Sequence, residues 1–289
     1  MNKKRLCLFG IFAMLFALSL YFSFAVSPSD IAARGSGTAV LSRTFINGTS
    51  PDYFGASLVA FDFNNDSYND LAVGASGKTL TGGSKTYVGQ ISIFYGGSGG
   101  ISNNTAAEAN VTINGSSRSY FGQRMAMGDV NVDGYDDLIV GAYGKNLSGG
   151  ALDWTGQVNI FFGSASGITS MTANEANITI NGTTAEDYFG IEFMWDDTNN
   201  DTYKDLIVSA SGENISGGAV DYTGQIYIFL GSEGGLQSCV SSQANITING
   251  TSPGYMGRLA LDDFNNDGYK DLAAGAYGKN ISYGITDWT

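Results

Sequence analysis

Beyond its amino-terminal leader, the chain alternates short apolar runs with stretches rich in glycine, asparagine and aspartate. Runs such as Leu138-Ile139-Val140, followed by Gly141-Ala142, have the length and β-branched content of a buried strand rather than a helix. Another kind of run alternates strictly: Ile178 and Ile180 are interleaved with Asn177, Thr179 and Asn181. Such a strand turns one side to a core and the other to water, as the outer strand of a sheet does.

These runs recur in a fixed order. The phrases DFNNDSYNDLAVGAS, DVNVDGYDDLIVGAY, DTNNDTYKDLIVSAS and DFNNDGYKDLAAGAY start at Asp62, Asp129, Asp197 and Asp263, so the repeat is 66 to 68 residues long. Ahead of them stand Tyr53-Phe54-Gly55, Tyr120-Phe121-Gly122, Tyr188-Phe189-Gly190 and Tyr255-Met256-Gly257. An apolar stretch links each Tyr-Phe-Gly to its aspartates, which predicts two antiparallel strands joined by an acidic loop. A third strand begins at Gly89, Gly156 and Gly224, and the outer strand begins at Ala109, Ala176 and Ala244. Four short antiparallel strands per repeat, without an intervening helix, describe one blade of an all-β propeller.

The Phe-Gly, aspartate-loop and Gly-Ala landmarks together resemble the FG-GAP repeats of integrin alpha chains and of many microbial surface proteins, over nearly all of residues 38–289. Met256 and Ser209-Ala210 depart from the pattern. The resemblance implies a propeller, typically of seven blades, of which about four are expected here. The stretch from Thr38, TAVLSRTFING, matches an outer strand and implies ring closure against a last blade. Ile285–Thr289 matches the segment before Gly156 and Gly224, so the propeller is expected to be incomplete at its carboxyl end.

Each acidic loop has the form D-x-N-x-D-x-x-x-D, with side-chain oxygens at positions 1, 3, 5 and 9 and a carbonyl at position 7. The candidate ligands are Asp62, Asn64, Asp66, Tyr68 and Asp70; Asp129, Asn131, Asp133, Tyr135 and Asp137; Asp197, Asn199, Asp201, Tyr203 and Asp205; and Asp263, Asn265, Asp267, Tyr269 and Asp271. Alternate oxygens of a tight loop suit Ca²⁺, which takes six to eight oxygen ligands in a tolerant geometry, better than the strictly octahedral Mg²⁺. An EF-hand shares the opening spacing but needs a bidentate Glu at position 12, where this chain has Val73, Val140, Val208 and Ala274. Position 6 favours a left-handed residue. It is Gly134 and Gly268 in two loops but Ser67 and Thr202 in the others, whose sites are therefore expected to be weaker. Polar hairpin turns would also favour Asp and Asn, but four copies of one ligand pattern argue for a metal, with a structural role favoured.

Composition narrows the function. The 289 residues include no histidine and two cysteines, Cys7 and Cys239, which removes histidine-based catalysis and His/Cys zinc sites. With 41 glycines and three prolines the chain suits tight turns, and 43% hydrophobic content argues for a packed core. The formal net charge of −13 speaks against nucleic acid as a partner. Residues 1–26 open with Lys3, Lys4 and Arg5, run apolar from Leu6 to Val26, and contain a small-x-small Ser23-Phe24-Ala25. They read as a signal peptide or an uncleaved amino-terminal membrane anchor, with cleavage preferred, and residues 27–37 as a linker.

The resulting expectation is a secreted or surface-displayed, calcium-binding adhesion or recognition module without catalytic activity, engaging an extracellular protein or glycan. Two alternatives stay open: a non-catalytic propeller attached to a hydrolase such as a phospholipase, and a lectin. Aromatics at Tyr87, Trp154, Tyr222 and Trp288, three of them preceded by Asp153, Asp221 and Asp287, lie by strand alternation on the face opposite the acidic loops. They either stack on a ligand or pack between blades. Sequon pairs at Asn110 and Asn114, Asn177 and Asn181, and Asn245 and Asn249 would place glycans on outer strands.

Overall fold

The computed structural model describes residues 22–25, 44–49, 51–80, 86–102, 105–116, 118–147, 153–215, 222–251 and 254–278. Among them there is no α-helix, only strands and three short 3-10 turns. The linker 27–37, most of the leader, Asp221, Asp287 and Trp288 lie outside the described residues.

Strands β1 (Phe22–Ala25) and β2 (Thr44–Asn47) pair antiparallel ahead of the first repeat. The first blade contains β3 (Phe54–Phe61), β4 (Asp70–Ala75), β5 (Gln90–Phe94) and β6 (Val111–Asn114). In the second, β7 (Met125–Gly128), β8 (Asp137–Ala142) and β9 (Gln157–Phe161) are followed by the two-residue β10 (Met171–Thr172) and β11 (Ile178–Asn181). The third has β12 (Phe189–Asp196), β13 (Asp205–Ala210), β14 (Gln225–Phe229), β15 (Cys239–Val240) and β16 (Ile246–Asn249). Strands β17 (Met256–Asp262) and β18 (Asp271–Ala276) open the fourth. Apart from the two-residue β10 and β15, the strands of each blade pair antiparallel in chain order, as in β3-β4-β5-β6.

The second strand of each complete blade is buried along its whole length, because both faces of its sheet meet a neighbouring layer. Its continuous apolar sequence follows from that double burial. Outer strands β6 and β11 bury Val111 and Ile113, or Ile178 and Ile180, and leave the residues between them partly exposed, as their alternation predicts. The core lies between blades. Ile91, Ile93 and Ile113 of the first sheet pack against Phe121, Leu138 and Val140 of the second. Ile139, Val158, Ile160 and Ile180 of the second pack against Phe189, Phe193, Leu206 and Val208 of the third. Each fully buried side chain of this size contributes roughly 1.5–3 kcal/mol, so adjacent blades depend on each other for stability.

Backbone contacts reinforce this dependence. Gly89 and Gly156 bridge in parallel to Phe121 and Phe189 of the following blade. A Cβ on either glycine would lie 2.2 Å from the phenylalanine carbonyl oxygen, and both have a φ of +83°. Only glycine permits that approach. On the outer rim, β10 and β15 add in parallel to the preceding blade's β6 and β11, covering an edge that would otherwise be open. Thr105 bridges in parallel to Asn47 at the corresponding place. Thus β2 stands to the first blade as β6 stands to the second, the outer-strand position read from TAVLSRTFING. β1 pairs with β2 as β5 pairs with β6, Phe22 facing Asn47 as Gln90 faces Asn114.

Candidate metal loops and the opposite face

The acidic loops connect the first and second strands of each blade, beyond the pairs Phe61 with Asp70, Gly128 with Asp137, Asp196 with Asp205, and Asp262 with Asp271. All four follow one hydrogen-bonding scheme. The position-1 carboxylates of Asp62, Asp129, Asp197 and Asp263 accept the backbone N–H groups of positions 5 and 6. The Oδ1 atoms of Asn64, Asn131, Asn199 and Asn265 accept the position-5 N–H. In turn Asp66, Asp133, Asp201 and Asp267 accept the N–H of Tyr68, Tyr135, Tyr203 and Tyr269. Oxygens from alternate residues are thereby held along one tight turn, as the spacing requires.

The turn needs left-handed backbone at two places. Position 6 has φ of 71° at Ser67, 90° at Gly134, 80° at Thr202 and 90° at Gly268. Ser67 and Thr202 follow the same path as the glycines at the steric cost of their Cβ atoms. Position 4 is left-handed too: Asn65, Asn200 and Asn266 have φ of 57°, 62° and 62°, and the β-branched Val132 has 59°. Asparagine tolerates this region and valine does not.

The ninth position differs in environment. Asp70, Asp137 and Asp205 are buried, and each carboxylate bridges the loop to the end of the third strand. Oδ2 accepts the N–H of Phe63, Val130 or Thr198, and Oδ1 accepts that of Gly96, Gly163 or Gly231. Burial pushes Asp137 up to about 6, opposed by the N–H groups of Gly163, Val130 and Asn131. It also raises Asp70, with Asp66 and Asp62 adding repulsion. Asp271 repeats only the first bond, from Phe264 N–H, among the described residues.

The donor set of each loop is all oxygen, the chemistry of a hard divalent cation. Among the described residues no three acidic side chains group as a metal cage by themselves. A cation would therefore draw on the position-3 amide and the position-7 carbonyl as well, and would share oxygens already taken by N–H donors. Each carboxylate oxygen has a second lone pair for that purpose.

At the other end of each blade, the aromatics singled out in the sequence pack between blades. Tyr87 stacks on Tyr120 at 5.0 Å and Tyr222 on Tyr255 at 4.7 Å, while Trp154 meets Tyr188 edge-on at 5.9 Å. The N–H groups of Tyr120, Tyr188 and Tyr255 donate to the carbonyls of Tyr87, Trp154 and Tyr222. Tyr143 extends the stack beside Tyr120 and Trp154. Asp153 is buried and accepts the N–H of Leu147 and Thr155.

The sequon asparagines also have structural work. Asn110, Asn177 and Asn245 accept the N–H of Tyr95, Phe162 and Leu230 just past the third strand. Asn114, Asn181 and Asn249 accept from the amides of Gln90, Gln157 and Gln225. The recurring Gly-Gln at the start of the third strand was the sequence signal for this ladder.

Comparison with known proteins supports the repeat assignment. The family model described as FG-GAP repeat matches residues 54–94 and 121–160. The chain is 32% identical over 160 residues to the phosphatidylinositol-glycan-specific phospholipase D of Bos taurus, covering 54% of this chain and 18% of that protein. It is 34% identical over 166 residues to human integrin alpha-IIb, covering 56% of this chain and 15% of the relative. With integrin alpha-V of Gallus gallus it shares 30% over 233 residues, 78% of this chain and 20% of the other. The chain thus spans a fifth or less of these relatives. Among the described residues no helix is long and apolar enough to cross a membrane.

Proposed function

We propose, from the premise that this chain carries FG-GAP repeats in a propeller, that it is a Ca²⁺-stabilised, non-catalytic extracellular module for adhesion or recognition. The observation that carries the calcium reading is the fourfold recurrence of one loop scheme, with oxygens of positions 1, 3 and 5 held on alternate residues, above a ninth carboxylate that is buried in the first three loops. Without a cation the aspartates of each loop repel one another, by roughly 4 kcal/mol for a pair 4 Å apart at an effective dielectric of 20. A bound Ca²⁺ would replace repulsion by attraction and stiffen the end of the blade. The chain's acidity and its apolar, basic-tipped leader support export.

A ligand, whether protein or glycan, would engage the face opposite the loops. There the aromatic stack already consumes much of Trp154, which favours a protein partner over a sugar stacked on that ring. Similarity to a phospholipase D supports a second reading, a propeller accompanying a hydrolase domain. In both readings the propeller itself binds rather than catalyses. Calorimetric titration of the chelator-treated chain with Ca²⁺ should show saturable heat, and the melting temperature should fall on adding chelator. A chain that shows neither response would sink the calcium reading.

A further inference from the structure

The four repeats share a shoulder at the aromatic end. Gly77, Gly144, Gly212 and Gly278 donate their N–H to the carbonyls of Asp52, Ser119, Asp187 and Gly254, one residue ahead of each Tyr-Phe-Gly or Tyr-Met-Gly. The residue after each glycine therefore sits beside the residue before each tyrosine. In the first blade this juxtaposition is an ion pair, Lys78 Nζ lying 2.8 Å from Asp52 Oδ2. In the second, Lys145 donates to Ser116 at 2.6 Å, and Ser119 replaces the acid.

The third blade breaks the pattern, because Glu213 stands where the others have lysine, and it faces Asp187. Asp187 is 1% exposed. Its Oδ2 accepts Thr184 N–H at 2.9 Å, while its buried Oδ1 has no donor. The Gly212 N–H bond to the Asp187 carbonyl sets Glu213 beside Asp187, whose buried Oδ1 is left without a partner, and the Glu213 carboxyl adds to burial in raising Asp187. Tyr227, from β14, points its hydroxyl at Glu213 Oε2 over 3.4 Å, and Glu186 precedes Asp187 in the chain. The hydroxyls of Thr183 and Ser241 pair with each other nearby. Among the described residues neither carboxylate takes part in an ion pair.

Two carboxylates without a cation can hydrogen-bond only by sharing a proton, since an ionised pair offers acceptors alone. We propose that Asp187 and Glu213 form a proton-sharing latch that closes the shoulder of the third blade and opens when the shared proton is lost. The latch lies one residue before Tyr188 and Phe189, whose N–H groups join this blade to Trp154 and Thr155 of the second. Opening it would loosen the blade junction on the aromatic face while leaving the acidic loops alone.

The sign of the pH effect follows from the direction of the shift. Burial, then the Glu213 carboxyl, raise Asp187 above its ordinary 3.8, so between the unfolded and folded values the folded chain holds a proton that the unfolded chain has released. Stability from this pair is complete below the unfolded value and drains away as pH rises toward the folded one. Glu213→Lys would rebuild the ion pair of the first blade at the same address.

The test compares melting temperatures of the full chain and of Glu213→Lys between pH 5 and pH 9, in chelator so that the acidic loops carry no metal in either protein. The original chain should lose several degrees more than the variant across this range, and the variant should be the more stable at pH 8. Parallel slopes, or a variant less stable at pH 8, overturn the proposal. Asp187→Asn, which keeps the shape of the protonated acid, should flatten the slope as well if the lysine variant folds poorly. Carboxyl ¹³C titration of the original chain reads the latch directly. A midpoint for Asp187 well above the ordinary carboxylate range is expected, and both carboxyls titrating below about pH 5 would overturn the latch.

Discussion

The two ends of each blade are held by different means. At the loop end the carboxylate bonds stay within one blade: position 1 caps its own turn, and position 9 ties that turn to the third strand of the same sheet, while the Leu236 N–H to the Val130 carbonyl and the Lys270–Asp196 ion pair reach a neighbouring blade. At the aromatic end bonds cross between blades, through Tyr120 to Tyr87, Tyr188 to Trp154 and Tyr255 to Tyr222. A cation at the loops should therefore act first on its own blade, whereas the aromatic end, where Tyr120, Tyr188 and Tyr255 each bond the preceding blade, contributes more to how blades sit against one another.

The sharpest way to break the contrast is to remove a ninth-position carboxylate. Asp137 is fully buried and accepts the N–H groups of Val130, Asn131 and Gly163. Asp137→Ala strands these donors, and leaving several buried polar groups without partners costs about 3–5 kcal/mol. Denaturant unfolding in chelator should show that loss in the metal-free chain, which separates this architectural role from any metal ligation. A smaller loss is expected at the other end. In Gly156→Ala the new methyl would lie 2.2 Å from Phe189 O in a residue with φ of +83°. The second and third blades would have to part slightly, at about 2–3 kcal/mol. The same unfolding experiment should show its cost unchanged by Ca²⁺, because this contact lies far from the loops.

Much of this was legible in the sequence because the determinants are local and repeated. Strand order, the position of the acidic loops and the two opposite ends all follow from alternation and punctuation within one repeat, read four times. What escaped were roles set by neighbours distant in sequence. Asp70 has the spacing of a ligand, yet its burial and its bond to Gly96 emerge only when the third strand lies beside the loop. The asparagine pairs read only as sequons, and the hydrogen bonds that Asn114 and Asn110 accept from Gln90 and Tyr95 emerge only once the third strand lies beside the outer one. Nothing local in the repeat singles out Gly128, which leaves room for the Trp195 indole of the next blade, whose Nε1 lies 2.1 Å from where a Cβ would stand. Glu213 differs from its aligned lysines in plain view, and its consequence appears only once Asp187 is seen beside it.

The smallest effect refines the loop end by using one repeat to correct another. Position 4 holds asparagine in three loops and Val132 in the second, with nearly the same left-handed φ of 57° to 62° in all four. Valine pays the full steric cost of that conformation, because its branched Cβ crowds the backbone carbonyl, and it is 47% exposed, so little burial offsets the strain. Val132→Asn should therefore stabilise the metal-free chain by about 1 kcal/mol. Its side chain is not among the expected ligands, so Ca²⁺ affinity should change only as far as the loop becomes better preorganised. A rise in the unfolding midpoint in chelator, with a weakly tightened calcium titration, supports a strained but correctly shaped second loop. A fall in the midpoint would mean that Val132 contributes packing beside Trp195 that outweighs its backbone strain.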